Sequence, residues 1–246
     1  MTIIKNNAKS IFIYGLSIIL KSTRSKIIYY HDVHSNKKYS YESSEISTFL
    51  RHIELIKLNG YKIAPDIKNI FNEIEIHFDD GNRGIFENFD FLIERKIPIK
   101  LFVITNKIGS VDFLNTHEIE QLINSGLVEL GSHTINHLNL NELSDPKLRY
   151  ELEYSKKTLE DRFGINISNI SFPRGHFSNN VIIRSIEAGY KNLYSSVPGD
   201  FDNKLYGNVS RRNLVGYYNK YGFLGTINGY SKFMANRILK QTYSSN

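Results

Sequence analysis

The 246-residue sequence has no cysteine and no tryptophan, and only 5 prolines. Without cysteine, disulfide scaffolds, thiolate zinc sites, iron–sulfur clusters and thiol nucleophiles are excluded, so any bound metal must rest on imidazole and carboxylate ligands. The redox compartment stays open. Few prolines and 16 glycines, with 41% hydrophobic and 23% charged residues, exclude collagen-like and low-complexity chains and describe an ordinary globular protein. One domain is the default at this length. Long apolar runs are missing too: residues 10–20 (SIFIYGLSIIL) are too few to cross a bilayer as a helix. KSTRSK follows them instead of a small-residue cleavage site, which argues against a cleaved signal peptide and points to the cytoplasm. Flanked by Lys5, Lys9, Lys21, Arg24 and Lys26, the run reads either as a helix closing the bottom of the domain or as an interfacial helix on an anionic membrane. On the second reading the cytoplasmic protein is membrane-associated.

What is present is a modest basic excess, 31 Lys and Arg against 25 Asp and Glu, compatible with nucleic acid, anionic lipid or an acidic glycan. The basic residues are scattered and no nucleic-acid motif accompanies them, so nucleic acid is not an expected partner. The 16 Tyr and 15 Phe read as compositional bias before they read as a sugar cleft.

From Lys26 onward, β-branched and aromatic runs alternate with stretches of helical period, the pattern of repeated βα units around a parallel sheet. Strands are predicted at 26–30, 73–78, 99–104, 127–132, 168–172, 191–196 and 208–214, and helices at 44–58, 84–95, 116–124, 145–162 and 178–188. Gly60, Gly126, Gly164 and Gly189 each follow a helical run, and Asp145-Pro146 reads as a cap and an N1 proline. The organisation is a single βα barrel or an open α/β sheet, with an apolar and basic N-terminal segment (1–25), a barrel (26–215) and a C-terminal tail (216–246) packing on it.

Parallel α/β folds carry reactive groups at the C-terminal ends of strands. There the sequence places Tyr30-His31-Asp32, His77-Phe78-Asp79-Asp80-Gly81, His133-Thr134-Ile135-Asn136-His137 and Phe172-Pro173-Arg174-Gly175-His176. The four-residue spacing puts His133 and His137 on one face of a helical turn, within reach of a shared metal. A carboxylate from another strand, Asp79 or Asp80, completes a two-His, one-Asp site, and the other is left as a general base.

In this order, HFDDG at 77–81, HTINH at 133–137 and FPRG at 172–175 resemble the three motifs of the polysaccharide deacetylase family, the NodB-homology fold of carbohydrate esterase family 4. The resemblance covers roughly residues 26–215 and implies a distorted (β/α)7 TIM-like barrel. It implies a hydrolase that removes N-acetyl groups from an amino sugar of a bacterial surface polysaccharide or its lipid-linked precursor. Asp80, His133 and His137 would bind a divalent metal, most often zinc, Asp79 would be the base, and the backbone N–H of Arg174 would face the oxyanion. A deformylase, an O-deacetylase, or a carbohydrate-binding homologue with impaired catalysis are alternatives on the same site.

Two departures shape the expectations. No histidine follows His176, so the family's C-terminal general acid is missing. Tyr30-His31 instead resembles the permuted poly-N-acetylglucosamine deacetylases, which implies His31 as the acid. Ser171 stands where many members carry an arginine that orients the base, leaving Arg211 or Arg212 to replace it. Asp32, Phe172, Pro173 and His176 are candidate sugar contacts, and residues 10–20 a candidate membrane contact.

Overall fold

The computed structural model describes Gly15 and residues 21–216, 219–230 and 232–244. The predicted N-terminal helix at 10–20 therefore lies, apart from Gly15, outside the described residues. In chain order come β1 (Lys26–Tyr30), β2 (Asp32–His34), β3 (Ser43–Glu45), α1 (Ile46–Leu58), β4 (Lys62–Ile63) and β5 (Glu73–Phe78). There follow α2 (Gly84–Glu87), α3 (Asp90–Arg95), β6 (Ile99–Val103), α4 (Thr116–Asn124), β7 (Val128–Ser132), α5 (Asp145–Phe163) and β8 (Asn169–Ser171). The chain ends with β9 (Phe177–Ser178), α6 (Asn179–Glu187), β10 (Asn192–Tyr194), β11 (Asn213–Leu214), α7 (Lys220–Ile227), α8 (Lys232–Thr242) and β12 (Tyr243–Ser244).

The sheet runs β10-β8-β7-β6-β5-β1-β11, with β4 beside the start of β5, and its pairings are parallel. The last strand closes the curl: Ser210 bridges to Tyr194 on one side, while Asn213 and Leu214 pair with Ile28 and Tyr29 on the other. This is the seven-unit α/β barrel that the motifs imply. The predicted strand at 208–214 shortens to two residues because the chain bends at Arg211 and Arg212, where Arg212 N–H donates to Val197 instead of continuing the ladder.

Alternation along β5 explains the two layers. Ile74, Ile76 and Phe78 join the large core beneath the helices, whereas Glu73, Glu75 and His77 point the other way. His77 packs on Phe102 and Tyr194, members of a small apolar cluster inside the barrel with Ile27 and Ile67. The helix predicted at 84–95 is split in two: α2 ends at its C-cap Asn88, whose backbone N–H and side-chain amide both donate to Gly84 O, at 3.2 and 2.9 Å. The cap of α5 is Ser144, not Asp145; Asp145 is the first helical residue and its carboxylate is held by Arg149 and Arg184. Gly164 closes that helix at φ 65, and Gly60, Gly126 and Gly189 also sit at positive φ.

Residues 219–230 and 232–244 form two helices and a short strand. Phe223 and Ile227 of α7 are buried, with Phe223 stacked 3.9 Å from the His52 ring, and β12 pairs with β9. Sequence periodicity gave no hint of α7, whose apolar residues do not form a stripe, nor of the two-residue strands.

Candidate active site

Strand ends bring the motif residues together. Asp79 and Asp80 follow β5, His133 follows β7, and Ser171 ends β8. His133 Nε2 and His137 Nε2 lie 3.5 and 3.6 Å from Asp80 Oδ1, and all three donor atoms fall within 4.8 Å of one another. The turn between the histidines is not helical. Thr134 and His137 both have positive φ, the Thr134 hydroxyl accepts from His137 N–H at 3.2 Å, and Glu151 accepts from the N–H groups of Ile135 and Asn136. Side-chain acceptors thus replace the helical hydrogen bonds that the spacing suggested.

Non-glycine residues at positive φ concentrate here: Asp80, Thr134, His137 and Arg174 are four of eight among the described residues. For a β-branched threonine that backbone is strained, at a cost of order 1–3 kcal/mol that surrounding contacts must offset. The Thr134 carbonyl accepts from both Thr105 N–H and Thr105 Oγ1.

The two adjacent aspartates live in opposite environments. Asp79 is buried, which by itself would raise its pKa, but Arg212, with His133 and His31 behind it, outweighs burial and holds the carboxyl well below the usual range. The guanidinium is bidentate, Nη1 to Oδ1 and Nη2 to Oδ2, both at 2.8 Å. Ser171 Oγ accepts from Arg212 Nη2 at 2.6 Å and lies 3.2 Å from Asp79 Oδ2, so the residue in the expected arginine slot braces an arginine from another strand. Arg211 points elsewhere, donating to the carbonyls of Asn203 and Pro198, and drops out as a partner of Asp79. Asp80 has no such cation, and burial pushes its pKa up to about 6.

Asp80 Oδ1 is buried without a hydrogen-bond partner, and His133 Nδ1 lies 2.7 Å from Ser171 O. Donation to that carbonyl fixes the tautomer with a lone pair on Nε2. An orphaned carboxylate oxygen and two imidazole nitrogens converging on one point fit a divalent metal, whose bonds of about 2 Å would span the gaps. Among the described residues this is the one such cluster of His, Asp and Glu.

His31 sits at the same mouth, 2.8 Å from Glu42 Oε2. Burial would lower its pKa, yet Glu42, Asp79 and Asp80 together raise it above the ordinary histidine value. Glu42 was not singled out from the sequence, because its reach to His31 depends on β2 pairing with β3. Beside it, Lys38, Tyr39, Tyr41 and Asp112 line a surface groove of about 420 Å³.

The third-motif loop turns at Arg174 (φ 56) and Gly175 (φ 73). A Cβ on Gly175 would lie 2.6 Å from Ser196, so only glycine fits this approach. Three predicted sugar contacts are displaced. Phe172 is fully buried and stacks on Phe177, and Pro173 is buried beside it. Asp32 is fully buried against the backbone of Gly84, where a Cβ would come within 2.5 Å of its carboxylate. They form the wall of the loops. His176 remains partly exposed next to Arg174.

The sequence profile of the polysaccharide deacetylase family matches residues 68–193, just over half of the chain. That span holds Asp79, Asp80, His133, His137 and Arg174 and leaves His31, Glu42 and Arg212 outside. YxkH of Bacillus subtilis (strain 168), named for the same family, is 25% identical over 73% of this chain and 67% of its own length. A poly-beta-1,6-N-acetyl-D-glucosamine N-deacetylase of Staphylococcus aureus (strain MRSA252) is 28% identical over 49% of this chain, which spans 46% of that relative. In fold, the chain is similar to IcaB from Ammonifex degensii, with a TM-score of 0.74 at 17% identity over 85% of this chain and 98% of that one.

Proposed function

Because the chain belongs to the polysaccharide deacetylase family, we propose that it hydrolyses the N-acetyl amide of an amino sugar in a glycan, releasing acetate and a free amine. The observation that carries this reading is the convergence of Asp80, His133 and His137 on one point beside the arginine-paired Asp79. Asp80, His133 and His137 would hold a divalent metal, zinc by the preference of such mixed imidazole and carboxylate sets. When bound, the metal supplies Lewis acidity toward the amide carbonyl.

The chain's own groups do the rest. Asp79, kept ionised and aimed by Arg212, takes the proton of the attacking water. The backbone N–H of Arg174, in the left-handed turn of the third-motif loop, would face the oxyanion that develops on the acetyl carbonyl oxygen. His31, held protonated by Glu42, gives its proton to the amine nitrogen as the C–N bond breaks. Base and acid are thus distinct groups with pKa values displaced in opposite directions. A poly-N-acetylglucosamine-like polymer is the substrate suggested by the staphylococcal relatives' names.

The test is metal content together with acetate release from N-acetylglucosamine oligomers, with N-formyl and O-acetyl analogues as competitors. Zinc at one equivalent per chain, and a loss of about 10²–10⁴ in kcat for Asp79→Asn, are expected. Metal binding without acetate release, or an unaltered rate in Asp79→Asn, would sink the reading.

A further inference from the structure

The charges of this chain are not spread evenly along it. Residues 1–31 hold five Lys and Arg and residues 217–246 hold four, with no Asp or Glu in either stretch. The intervening residues carry 22 basic against 25 acidic side chains. The whole positive excess therefore comes from the two ends. Lys21, Arg24, Lys26 and Lys232 come to one face, whereas α7 begins and α8 ends on the side of the motif loops, where Ser44 donates to Gly216 O and β12 pairs with β9.

Ser22 N–H donates to Asn228 O at 3.1 Å, and the Tyr61 hydroxyl donates to both Ser22 O and Ile227 O at 2.9 Å. Ser25 N–H donates to Ile70 O and Asn72 N–H to Thr23 O, seating the loop before β5 against the same segment. Lys26 and Lys232 share Asp200. The end of α1, the loop before β5, the turn between α7 and α8, and the entry of the chain at Lys21 thus form one surface around the N-terminal ends of the strands.

That surface is apolar where a soluble protein's normally is not. Leu58 is 74% exposed, Ile70 51%, Phe71 52% and Phe233 62%. Lys21, Lys57, Lys62 and Lys68 flank them, all exposed and none in an ion pair among the described residues. Immediately before Lys21 in the sequence stands the eleven-residue, largely apolar run 10–20. Exposed aromatic and aliphatic side chains within a ring of unpaired lysines are what an anionic bilayer surface recognises, burying the apolar groups while the ammonium groups meet the headgroups.

We propose that this face docks on an anionic lipid membrane. It lies at the opposite end of the strands from Asp79, about 20 Å away along the six-residue β5. Docked this way, the protein points its candidate active site away from the bilayer. On the deacetylase reading, the substrate is then a glycan extending above the membrane surface and not a sugar at headgroup level.

The test is flotation of the full chain with vesicles containing phosphatidylglycerol and with vesicles of phosphatidylcholine alone. Binding to the first, weakened by salt and absent from the second, is expected. Phe71→Ser with Phe233→Ser should lower partitioning at least about tenfold. Lys57→Glu with Lys68→Glu should do so by about tenfold. Both pairs are surface changes, and acetate release from a soluble oligomer should stay at the parent rate, which separates this proposal from the catalytic one. Flotation of both double variants at the parent's level, binding indifferent to lipid charge, or self-association through this face without vesicles would each overturn it.

Discussion

The inside of the barrel has a mouth and a floor, and they treat buried charge differently. At the floor, Lys100 reaches Asp66, Glu75 and Glu129, and Glu75 in turn lies 2.6 Å from His77 Nε2. Each of these three carboxylates lies against the Lys100 ammonium. At the mouth, Asp79 is satisfied by Arg212, but Asp80 Oδ1 is buried with no partner and the backbone around it is repeatedly left-handed. A floor so paired holds the curl of the sheet; a mouth left unpaired is built to be completed by something else. Stability and function are therefore separable by position, and substitutions can test that division.

The largest effect is expected at the unpaired carboxylate. Asp80→Asn should abolish metal binding and reduce acetate release to background. The metal-free variant should melt no lower than the metal-free parent, because the change removes a buried charge that no protein group compensates. Metal analysis and thermal melts in chelator check this; a lower melting temperature would make Asp80 a structural residue like those of the floor.

Arg212→Ala comes next and should fail on both counts. It leaves Asp79 buried and ionised without its only guanidinium. Breaking such a pair costs about 3–5 kcal/mol, roughly 10 °C in melting temperature at this chain length. Activity should fall with it, and Arg212→Lys should restore stability in part but not the two-pronged aim of the base.

At the floor, Lys100→Met should cost about 1–3 kcal/mol while leaving metal content and acetate release at parental levels. Asp66 and Glu129 are half exposed and can return to water, so Glu75 bears most of the loss. Inactivity of a folded Lys100→Met protein would break the mouth-and-floor distinction.

How much of this the sequence discloses depends on how local each feature is. The ranges of β1, β5 and α4 are readable because composition and period settle them within the segment, and α4 begins with a reciprocal Asn115–Glu118 capping box. The metal-binding trio is readable because its motif lies in two short stretches. Geometry between segments is less so. The turn of His133 to His137 follows Glu151, a residue on another element. The choice of Arg212 over Arg211 turns on which side of a bent strand faces inward. Asp32 and Phe172 lie one residue from chemically marked positions, and a one-residue step on a strand sends a side chain to the other face. Glu42 carries no signal at all until β2 and β3 are paired.

Glu42 also gives the smallest and most diagnostic prediction. His31 must be protonated to serve as acid, so kcat/KM should fall as pH rises through its raised pKa. Burial lowers that pKa, and Glu42, Asp79 and Asp80 raise it. Glu42→Gln removes the nearest raising charge while keeping a hydrogen-bonding side chain of similar size. The alkaline limb of the pH–rate profile should move to lower pH by roughly one unit, with the rate at acidic pH preserved. The sign for stability agrees: the pairing strengthens the fold most below the ordinary histidine range and fades as pH rises through the folded-state value, so the variant's deficit in melting temperature should shrink toward alkaline pH. A limb that does not move in Glu42→Gln would take the acid role away from His31 and leave the mouth with a base but no proton donor.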